Sequence, residues 1–299
     1  MALVSTPDDR FEATAGYDYP VSRVAVGAPK MAYVDVAGDG PETFLCLHGE
    51  PTWGYLYRGL IDRLSDRGRV VVPDAIGFGR SDKYTDRGAY TFRLHYDALV
   101  QFIERLDLTD ITLVCQDWGG ALGLTAAATH PERFARLVPM NTDLPSGRQT
   151  MPPAWHRFHE FVETTEQLDI GRLVRNGTER GLSDAEAAAY DAPFASEAEK
   201  AGAYAWPEMV PRRGGGDGGD LTAAARDRLR EWDKPAFVLF SDSDPITHGA
   251  RDELRSLLPT AAYQPDVWIE NAGHYLQEDA PGEIADRIVA FVDRTEPTS

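Results

Sequence analysis

Short apolar runs and amphipathic segments alternate along most of the chain. The apolar runs predict buried strands, at 19–26, 30–36, 44–47, 70–72, 111–115, 136–140, 236–240 and 267–269. Segments with apolar positions three and four residues apart predict amphipathic helices, at 56–64, 94–106, 121–128 and 281–294. The first two strands are expected to pair at one edge. This alternation predicts an α/β fold, in which a mostly parallel eight-stranded sheet carries helices on both faces.

The rhythm of strands and helices breaks within residues 144–219. This segment is first rich in proline, then helical at 182–190, and it ends in the glycine run 214–219. The interruption predicts a helical cap, 144–219, inserted after the sixth core strand, so that the core comprises 1–143 and 220–299. We interpret the glycine run as a flexible exposed return loop, with a hinge for cap opening as the alternative.

The charge of the chain limits its partners. The 299 residues carry a formal net charge of -18, and so acidic a surface repels phosphates, which argues against binding of nucleic acid. Only four of the 30 basic residues are lysines. Two explanations stay open: an ordinary acidic, arginine-rich enzyme, or adaptation to high salt, where screening relieves the repulsion between like charges.

Nothing in the sequence indicates a membrane span, a signal peptide or a metal site. No apolar run approaches the ~20 residues that a spanning helix needs, and the first ten residues are polar. We therefore expect a cytoplasmic protein that binds neither membrane nor nucleic acid. Cys46 and Cys115 lie in apolar strands and are expected to be buried, reduced thiols. We expect no metal and no other cofactor.

The stretch from Ile111 to Gly120 carries the strongest indication of chemistry. An apolar strand runs directly into Asp117, which is followed by Trp118 and two glycines. This arrangement is typical of a nucleophile elbow, in which a sharp turn between strand and helix exposes the apex residue above the sheet. The apex residue is a carboxylate, which is ionised near neutral pH and needs no base in order to attack. Asp117 is therefore the candidate nucleophile.

A base and an orienting acid should follow the nucleophile, on loops after later strands. His274 is the candidate base, because it lies between the last predicted strand and the last predicted helix. Asp242 and Asp244 both follow the strand at 236–240. We favour Asp244 as the acid, since a residue further along the loop can reach a histidine above the sheet. Asp242 is better placed to stabilise the turn, and it is kept as the alternative acid.

Two loops after central strands add to the candidate site. The loop at 48–53 is expected to provide the backbone N–H of Glu50 to an oxyanion hole, with the N–H of Trp118 as the second donor. An ordinary tight turn is the alternative for this loop. The loop at 74–81 is similar to a nucleotide-binding fingerprint, but Asp82 stands in place of the third glycine, which argues against a dinucleotide site.

Four motifs together resemble one enzyme family. The motifs are HGEPTW at 48–53, DAIGFGRSD at 74–82, VCQDWGG at 114–120 and NAGHYLQE at 271–278. They are similar to haloalkane dehalogenases of the α/β-hydrolase superfamily, in the subfamily whose triad acid follows the seventh core strand. The similarity spans the chain from Tyr17 to Phe291 and is weakest in the cap.

The resemblance implies a substrate and a mechanism. The substrate would be a small halogenated alkane, from which Asp117 displaces halide to form an alkyl ester. His274 would then activate the water that hydrolyses this ester to a primary alcohol. No cofactor takes part, and the chain is expected to be a monomer or a small homo-oligomer.

The resemblance also implies which residues hold the leaving halide. Trp118 is similar in position to the first halide-binding tryptophan of the family, and Trp155 falls where the subfamily has the second. An indole N–H can only donate, which suits an anion. Simple packing is the alternative for Trp155, because the cap is less similar. One departure is Cys115, which replaces the first glycine of the general superfamily motif but is small enough for the elbow.

Two competing functions remain. An epoxide hydrolase would use the same carboxylate nucleophile and the same water-activating histidine, but needs cap tyrosines to protonate the epoxide oxygen, for which Tyr190 and Tyr204 are available. A non-catalytic sensor built on the same fold usually lacks one member of the triad. All three positions are filled in this sequence, which favours an enzyme.

Overall fold

The computed structural model describes residues 2–14 and 16–295, and a six-stranded ladder lies at its centre. The strands are β1 (Val21–Ala25), β2 (Lys30–Val36), β3 (Glu42–Leu47), β4 (Gly68–Pro73), β5 (Ile111–Gln116) and β6 (Phe134–Met140). Their order across the sheet is β1-β2-β4-β3-β5-β6. β2 pairs antiparallel with β1 and with β4, whereas the other neighbours run parallel. The predicted edge pair and buried central strands are therefore present.

Two further strands continue the sheet beyond β6. β7 (Phe240–Ser241) and β8 (Trp268–Ile269) form a parallel pair. The segment before β7 joins β6 through isolated bridges of Ala236 and Leu239, so the predicted strand at 236–240 is mostly an interrupted ladder. Pro139 explains the interruption: its carbonyl accepts from Leu239 N–H at 3.0 Å, but proline has no N–H to return.

Eleven α-helices surround the sheet within the described part of the chain. They are α1 (Arg58–Ser65), α2 (Phe92–Arg105), α3 (Trp118–Thr129), α4 (Pro153–Thr164), α5 (Ile170–Asn176), α6 (Asp184–Asp191), α7 (Ala201–Met209), α8 (Gly219–Leu229), α9 (Arg251–Leu257), α10 (Leu276–Asp279) and α11 (Pro281–Asp293). α1 packs against α11, while α3 packs against both α2 and α8. α3 is buried along nearly its whole length, because its residues are almost all apolar or glycine. These helices cover the two faces of the sheet.

Four helices, α4 to α7, lie between β6 and α8. α6 begins at a capping box in which Ser183 and Glu186 satisfy each other's backbone N–H groups, close to the predicted start at residue 182. The bounds 144–219 for the cap and 1–143 with 220–299 for the core stay predictions. Residues 1, 15 and 296–299 of these ranges lie outside the described residues.

Residues 214–217 of the glycine run are exposed, yet the loop is anchored rather than free. Asp217 N–H donates to the Met209 carbonyl at 2.8 Å, and the Asp217 carboxylate accepts from Phe92 N–H at 2.7 Å. Gly218 is buried with φ +77°, and a Cβ there would lie 2.3 Å from the Phe92 ring. Glycine is required at this position because the backbone passes directly over that ring.

The interior of the sheet contains one ion pair and both cysteines. Arg136 on β6 and Glu42 on β3 are buried and 2.6 Å apart. Cys46 and Cys115 are free thiols without exposed surface, and burial raises the pKa of each thiol. Within residues 2–14 and 16–295, none of the helices combines the length and the apolarity that crossing a bilayer requires.

Candidate active site

Asp117 lies at a strained turn between β5 and α3. Its backbone adopts φ 51° and ψ -122°, a region that residues other than glycine rarely occupy. The turn is held because Asp117 N–H donates to the Asn141 carbonyl at 3.1 Å and the Asp117 carbonyl accepts from the Thr142 hydroxyl at 2.6 Å. A Cβ on Gly119 would lie 2.2 Å from the Leu47 carbonyl oxygen. Only glycine therefore lets α3 start so close to the sheet.

His274 lies between the candidate nucleophile and the candidate acid. Its Nε2 is 3.8 Å from Asp117 Oδ1, and its Nδ1 is 3.1 Å from Asp244 Oδ2. The Asp244 carboxylate also accepts from Ile246 N–H at 2.8 Å and from the hydroxyl of Thr247. These contacts fix the orientation of the imidazole, as an acid, histidine and nucleophile arrangement requires.

Asp242, the alternative acid, points to a different loop. Its carboxylate accepts the N–H groups of Asn271 and Ala272 at 3.1 and 3.3 Å. Asp242 thus braces the segment that carries His274, while Asp244 contacts the imidazole itself. The role of Asp244 as the triad acid stays a prediction.

Asp117, His274 and Asp244 shift one another's pKa values. Burial would lower the pKa of His274, but the charge of Asp244, its hydrogen bond and the charge of Asp117 raise that pKa to about 9. Burial would raise the pKa of Asp244, yet His274 and the hydrogen bonds from Thr247 and Ile246 hold it below its usual value. Burial raises the pKa of Asp117 despite the opposing charge of His274. The two neighbouring carboxylates therefore favour the protonated form of the imidazole.

Two backbone N–H groups face the Asp117 carboxylate. Glu50 N–H donates to Asp117 Oδ2 at 2.7 Å, and hydrogen bonds from Glu50 N–H and Trp118 N–H both lower the pKa of Asp117. Tyr275 fixes the loop from behind, because its hydroxyl donates to the Glu50 carbonyl at 2.9 Å. The structure thus brings the two predicted oxyanion-hole donors to the same carboxylate.

Two polar side chains that the sequence analysis did not select hold the histidine loop. The Asn141 amide donates to the carbonyls of Gly273 and His274, each at 3.0 Å, and its oxygen accepts Ser241 N–H at 2.9 Å. The Gln116 amide donates to the His274 carbonyl at 3.2 Å and lies equally far from His274 Nε2. Their positions in the sequence could have indicated these two residues, because Asn141 directly follows β6 and Gln116 directly precedes Asp117.

A cavity of about 630 Å³ opens above Asp117. Trp118 and Trp155 both line it and are only 5% and 4% exposed. The Trp155 ring stacks on His159 with centroids 4.8 Å apart and lies 5.2 Å from the Arg212 guanidinium. About half of the other lining side chains are apolar, among them Met151, Phe158 and Leu173. The cavity therefore suits a small, largely apolar molecule.

The other tryptophans and the glycine-rich loop lie outside this cavity. Trp53 donates to the Ala189 carbonyl at 3.0 Å, and Trp206 donates to His95 Nε2 at 2.6 Å. The loop at 74–81 folds around Asp74, whose carboxylate accepts backbone N–H groups of Gly54 and Arg80. The N–H groups of Gly77, Phe78 and Ser81 donate to carbonyls of the same segment, so they do not face a phosphate.

Comparison with known proteins assigns the chain to a family. The alpha/beta hydrolase fold model matches residues 42–281. A haloalkane dehalogenase of Mycobacterium marinum is 42% identical over 298 residues, which cover 97% of this chain and all of the relative. A haloalkane dehalogenase of Psychrobacter cryohalolentis is 38% identical, with 98% of each chain covered. The chain belongs to the haloalkane dehalogenases.

Solved haloalkane dehalogenase structures have the same fold. The tetrameric haloalkane dehalogenase DpaA from Paraglaciecola agarilytica superposes with a TM-score of 0.91 at 37% identity, covering 97% of this chain and 98% of that one. DbeA from Bradyrhizobium elkanii superposes with a TM-score of 0.79 at 26% identity, covering 92% and 98%. The predicted α/β-hydrolase fold and the predicted family are therefore confirmed.

The two cap tyrosines considered for an epoxide hydrolase are engaged elsewhere in this member of the haloalkane dehalogenase family. The Tyr190 hydroxyl is buried and donates to Glu278, and the Tyr204 hydroxyl donates to the Glu166 carbonyl at 3.0 Å and to Glu197. Neither ring lines the cavity above Asp117. They are not placed to protonate an epoxide oxygen.

Proposed function

We propose that the chain hydrolyses small halogenated alkanes to primary alcohol and halide through an ester on Asp117. The observation that carries this proposal is a carboxylate at the apex of the elbow, facing a cavity of about 630 Å³, with His274 Nε2 3.8 Å away. A serine at that position would need a base in order to attack, whereas a carboxylate does not. The names of the relatives point to the same substrate class.

The first step is displacement at a saturated carbon. An Asp117 oxygen forms a bond to the carbon that bears the halogen, and the carbon–halogen bond breaks with its electron pair on the halide. We propose that the indole N–H groups of Trp118 and Trp155 hold the halide. Both rings line the cavity, and neither can protonate the nucleophile, because an indole only donates a hydrogen bond.

The second step is hydrolysis of the ester. His274 removes a proton from water, the water oxygen attacks the Asp117 carbonyl carbon, and the alkoxide leaves with a proton returned by His274. The developing oxyanion would be bound by the N–H groups of Glu50 and Trp118, which already face the carboxylate. Esterification removes the negative charge that helps to raise the pKa of His274. The first step thereby converts the imidazole towards the neutral base that the second step requires.

The remaining features of this proposal concern architecture. We propose that residues 144–219 form the cap over the cavity, while 1–143 and 220–299 form the core. Assembly as a monomer or a small homo-oligomer fits a family in which DpaA is tetrameric. A cytoplasmic location stays a prediction. A sensor without catalysis is disfavoured, because the nucleophile, base and acid lie within reach of one another.

Two substitutions test the proposed chemistry. Purified protein should release bromide from 1-bromobutane or 1,2-dibromoethane and should not form a diol from styrene oxide. Asp117→Asn should abolish bromide release, and retained turnover would exclude Asp117 as the nucleophile. His274→Gln should stop after the first step, so that mass spectrometry detects Asp117 with an added alkyl group. Absence of that adduct would mean that His274 is not the base of the second step.

A third substitution tests the halide site. Trp155→Phe keeps an aromatic ring but removes the N–H donor. Bromide binding, measured by quenching of tryptophan fluorescence, should weaken about tenfold, as the loss of a hydrogen bond to a charged group implies. Trp268→Phe is the matched control, because Trp268 lies on β8 and does not line the cavity. Unchanged bromide affinity in Trp155→Phe would leave Trp155 with packing alone.

A further inference from the structure

Glu50 contributes a second buried carboxyl group to the cavity above Asp117. The residue lines that cavity and is 5% exposed. Both of its carboxyl oxygens lack a hydrogen-bond partner in the part of the chain that the structure describes. The contrast with Asp244 is clear, since its oxygens contact His274, Ile246 and Thr247. Glu50 is therefore buried in the site although its carboxyl makes no hydrogen bond to the described residues.

The charges around Glu50 disfavour its ionised form. Asp117 accepts Glu50 N–H at 2.7 Å, and its charge acts against a second negative charge on Glu50. Among the described residues that line the cavity, none is lysine or arginine; the ionisable ones besides Glu50 are Asp117, Asp143, Glu179, Glu253, His274 and Tyr275. His274 already contacts both aspartates of the triad. Burial, followed by the charge of Asp117, raises the pKa of Glu50 well above its ordinary value.

A neutral carboxyl has both a donor and an acceptor, which is what binding a water molecule requires. The Glu50 backbone is fixed on both sides: its N–H contacts Asp117 and its carbonyl accepts from Tyr275. The side chain therefore starts from a point adjacent to the ester carbonyl carbon that would form on Asp117. An ionised carboxylate in the same place would repel the oxyanion that develops in the second step.

We propose that Glu50 is a neutral carboxylic acid that positions the water for hydrolysis of the alkyl ester on Asp117. This inference rests on the proposed function. Glu50 is a positioning residue and transfers no proton. The water gives one proton to His274, its oxygen bonds to the Asp117 carbonyl carbon, and the alcohol leaves with that proton. The Glu50 O–H and C=O are the same before and after the step.

Two variants separate this role from the alternatives. Glu50→Gln keeps a neutral donor and an acceptor in nearly the same shape, so hydrolysis of the ester should proceed close to the wild-type rate. Glu50→Met keeps the length but removes both groups, and misplacement of the water should slow hydrolysis about 100-fold. Rapid-quench mass spectrometry with 1-bromobutane should then show the Asp117 adduct accumulating in Glu50→Met and not in Glu50→Gln. The rate of adduct formation should be similar in both variants.

Each other outcome overturns the proposal. If Glu50→Gln accumulates the adduct as Glu50→Met does, the ionised carboxylate is the active form. If neither variant accumulates it while turnover is normal, Glu50 is only structural. Circular dichroism and the melting temperature report whether each variant is folded, and Glu50→Gln carries the test if Glu50→Met is not.

A spectroscopic measurement tests the neutral acid without any turnover. The infrared difference spectrum of wild type minus Glu50→Gln at neutral pH should contain the carbonyl stretch of a protonated carboxyl, which moves to lower frequency in D2O. A carboxylate band in its place would overturn the proposal. If wild type forms no adduct and releases no bromide, the proposed function fails, and this infrared result still decides the protonation of Glu50.

Discussion

The link between the charge of Asp117 and the pKa of His274 can be measured directly. Asp117→Asn keeps the size of the side chain and removes its charge, as esterification does. His274 Nε2 lies 3.8 Å from Asp117 Oδ1, and the charge of Asp117 is one cause of the raised pKa of His274, about 9. We expect this pKa to fall in Asp117→Asn, because the imidazolium loses an anionic neighbour.

The magnitude follows from the distance between the two groups. At 3.8 Å, two unit charges interact by about 4 kcal/mol at an effective dielectric constant of ~20, and by about 1 kcal/mol in bulk water. Each pKa unit corresponds to about 1.4 kcal/mol, so the pKa of His274 should fall by about 1 to 3. It would then lie between about 6 and 8, where a histidine can accept a proton at neutral pH.

The assay is an NMR titration of the imidazole nitrogens of His274, assigned by comparison with His274→Gln. Wild type, Asp117→Asn and a control, Asp143→Asn, are titrated between pH 5 and pH 10. Asp143 lines the same cavity but is not among the groups that shift the pKa of His274, so the control should titrate as wild type does. A His274 pKa in Asp117→Asn equal to or above the wild-type value would refute the coupling of the two steps.

Three further predictions concern stability, each measured by urea unfolding. Burial, opposed by Leu144 N–H, raises the pKa of Asp143 from 3.8 to about 6. Wild type should therefore lose stability as pH rises through 6. Asp143→Asn lacks this ionisation, so its free energy of unfolding relative to that of wild type should rise by at most ~3 kcal/mol between pH 4 and pH 7. An equal difference at both pH values would contradict this. Glu42→Gln leaves the buried Arg136 hydrogen-bonded to Thr112 and Thr295 but without its anionic partner. The change should cost about 3–5 kcal/mol, which adding Arg136→Met should partly restore. Gly119→Ala should destabilise by about 1–3 kcal/mol or more, because of the clash at the elbow, and wild-type stability would mean that the elbow can relax.

Much of the fold could be predicted because its periodicity is strong. The central strands are continuous apolar runs, and α3 combines small and apolar residues that can only be buried. The strand at 236–240 was placed in the right segment but was wrong in extent. Its ladder is interrupted by Pro139, which lies on the neighbouring strand, and periodicity within one segment contains no information about the partner of that segment.

The candidate site likewise contains residues that could be selected from the sequence and residues that could not. Asp117, His274 and Asp244 could be selected because each follows a strand on the side where such loops meet. The role of Asn141 could not, since it depends on which carbonyls its amide reaches across 132 and 133 positions of sequence. The sequence could not show either that the Glu50 carboxyl lacks a hydrogen-bond partner among the described residues, because that depends on what surrounds the side chain in the folded protein.

The two-residue strands β7 and β8 have a consequence for how the enzyme fails on heating. His274 and Asp244 follow the least continuous part of the sheet, whereas Asp117 follows β5, which is paired along both sides. Segments with few backbone hydrogen bonds open at lower free energy than the rest of a domain. Amide protons of residues 240–241 and 268–269 should then exchange before those of β5. Heating would then move His274 away from Asp117 while most of the fold is intact, so activity should be lost at a lower temperature than the helical structure.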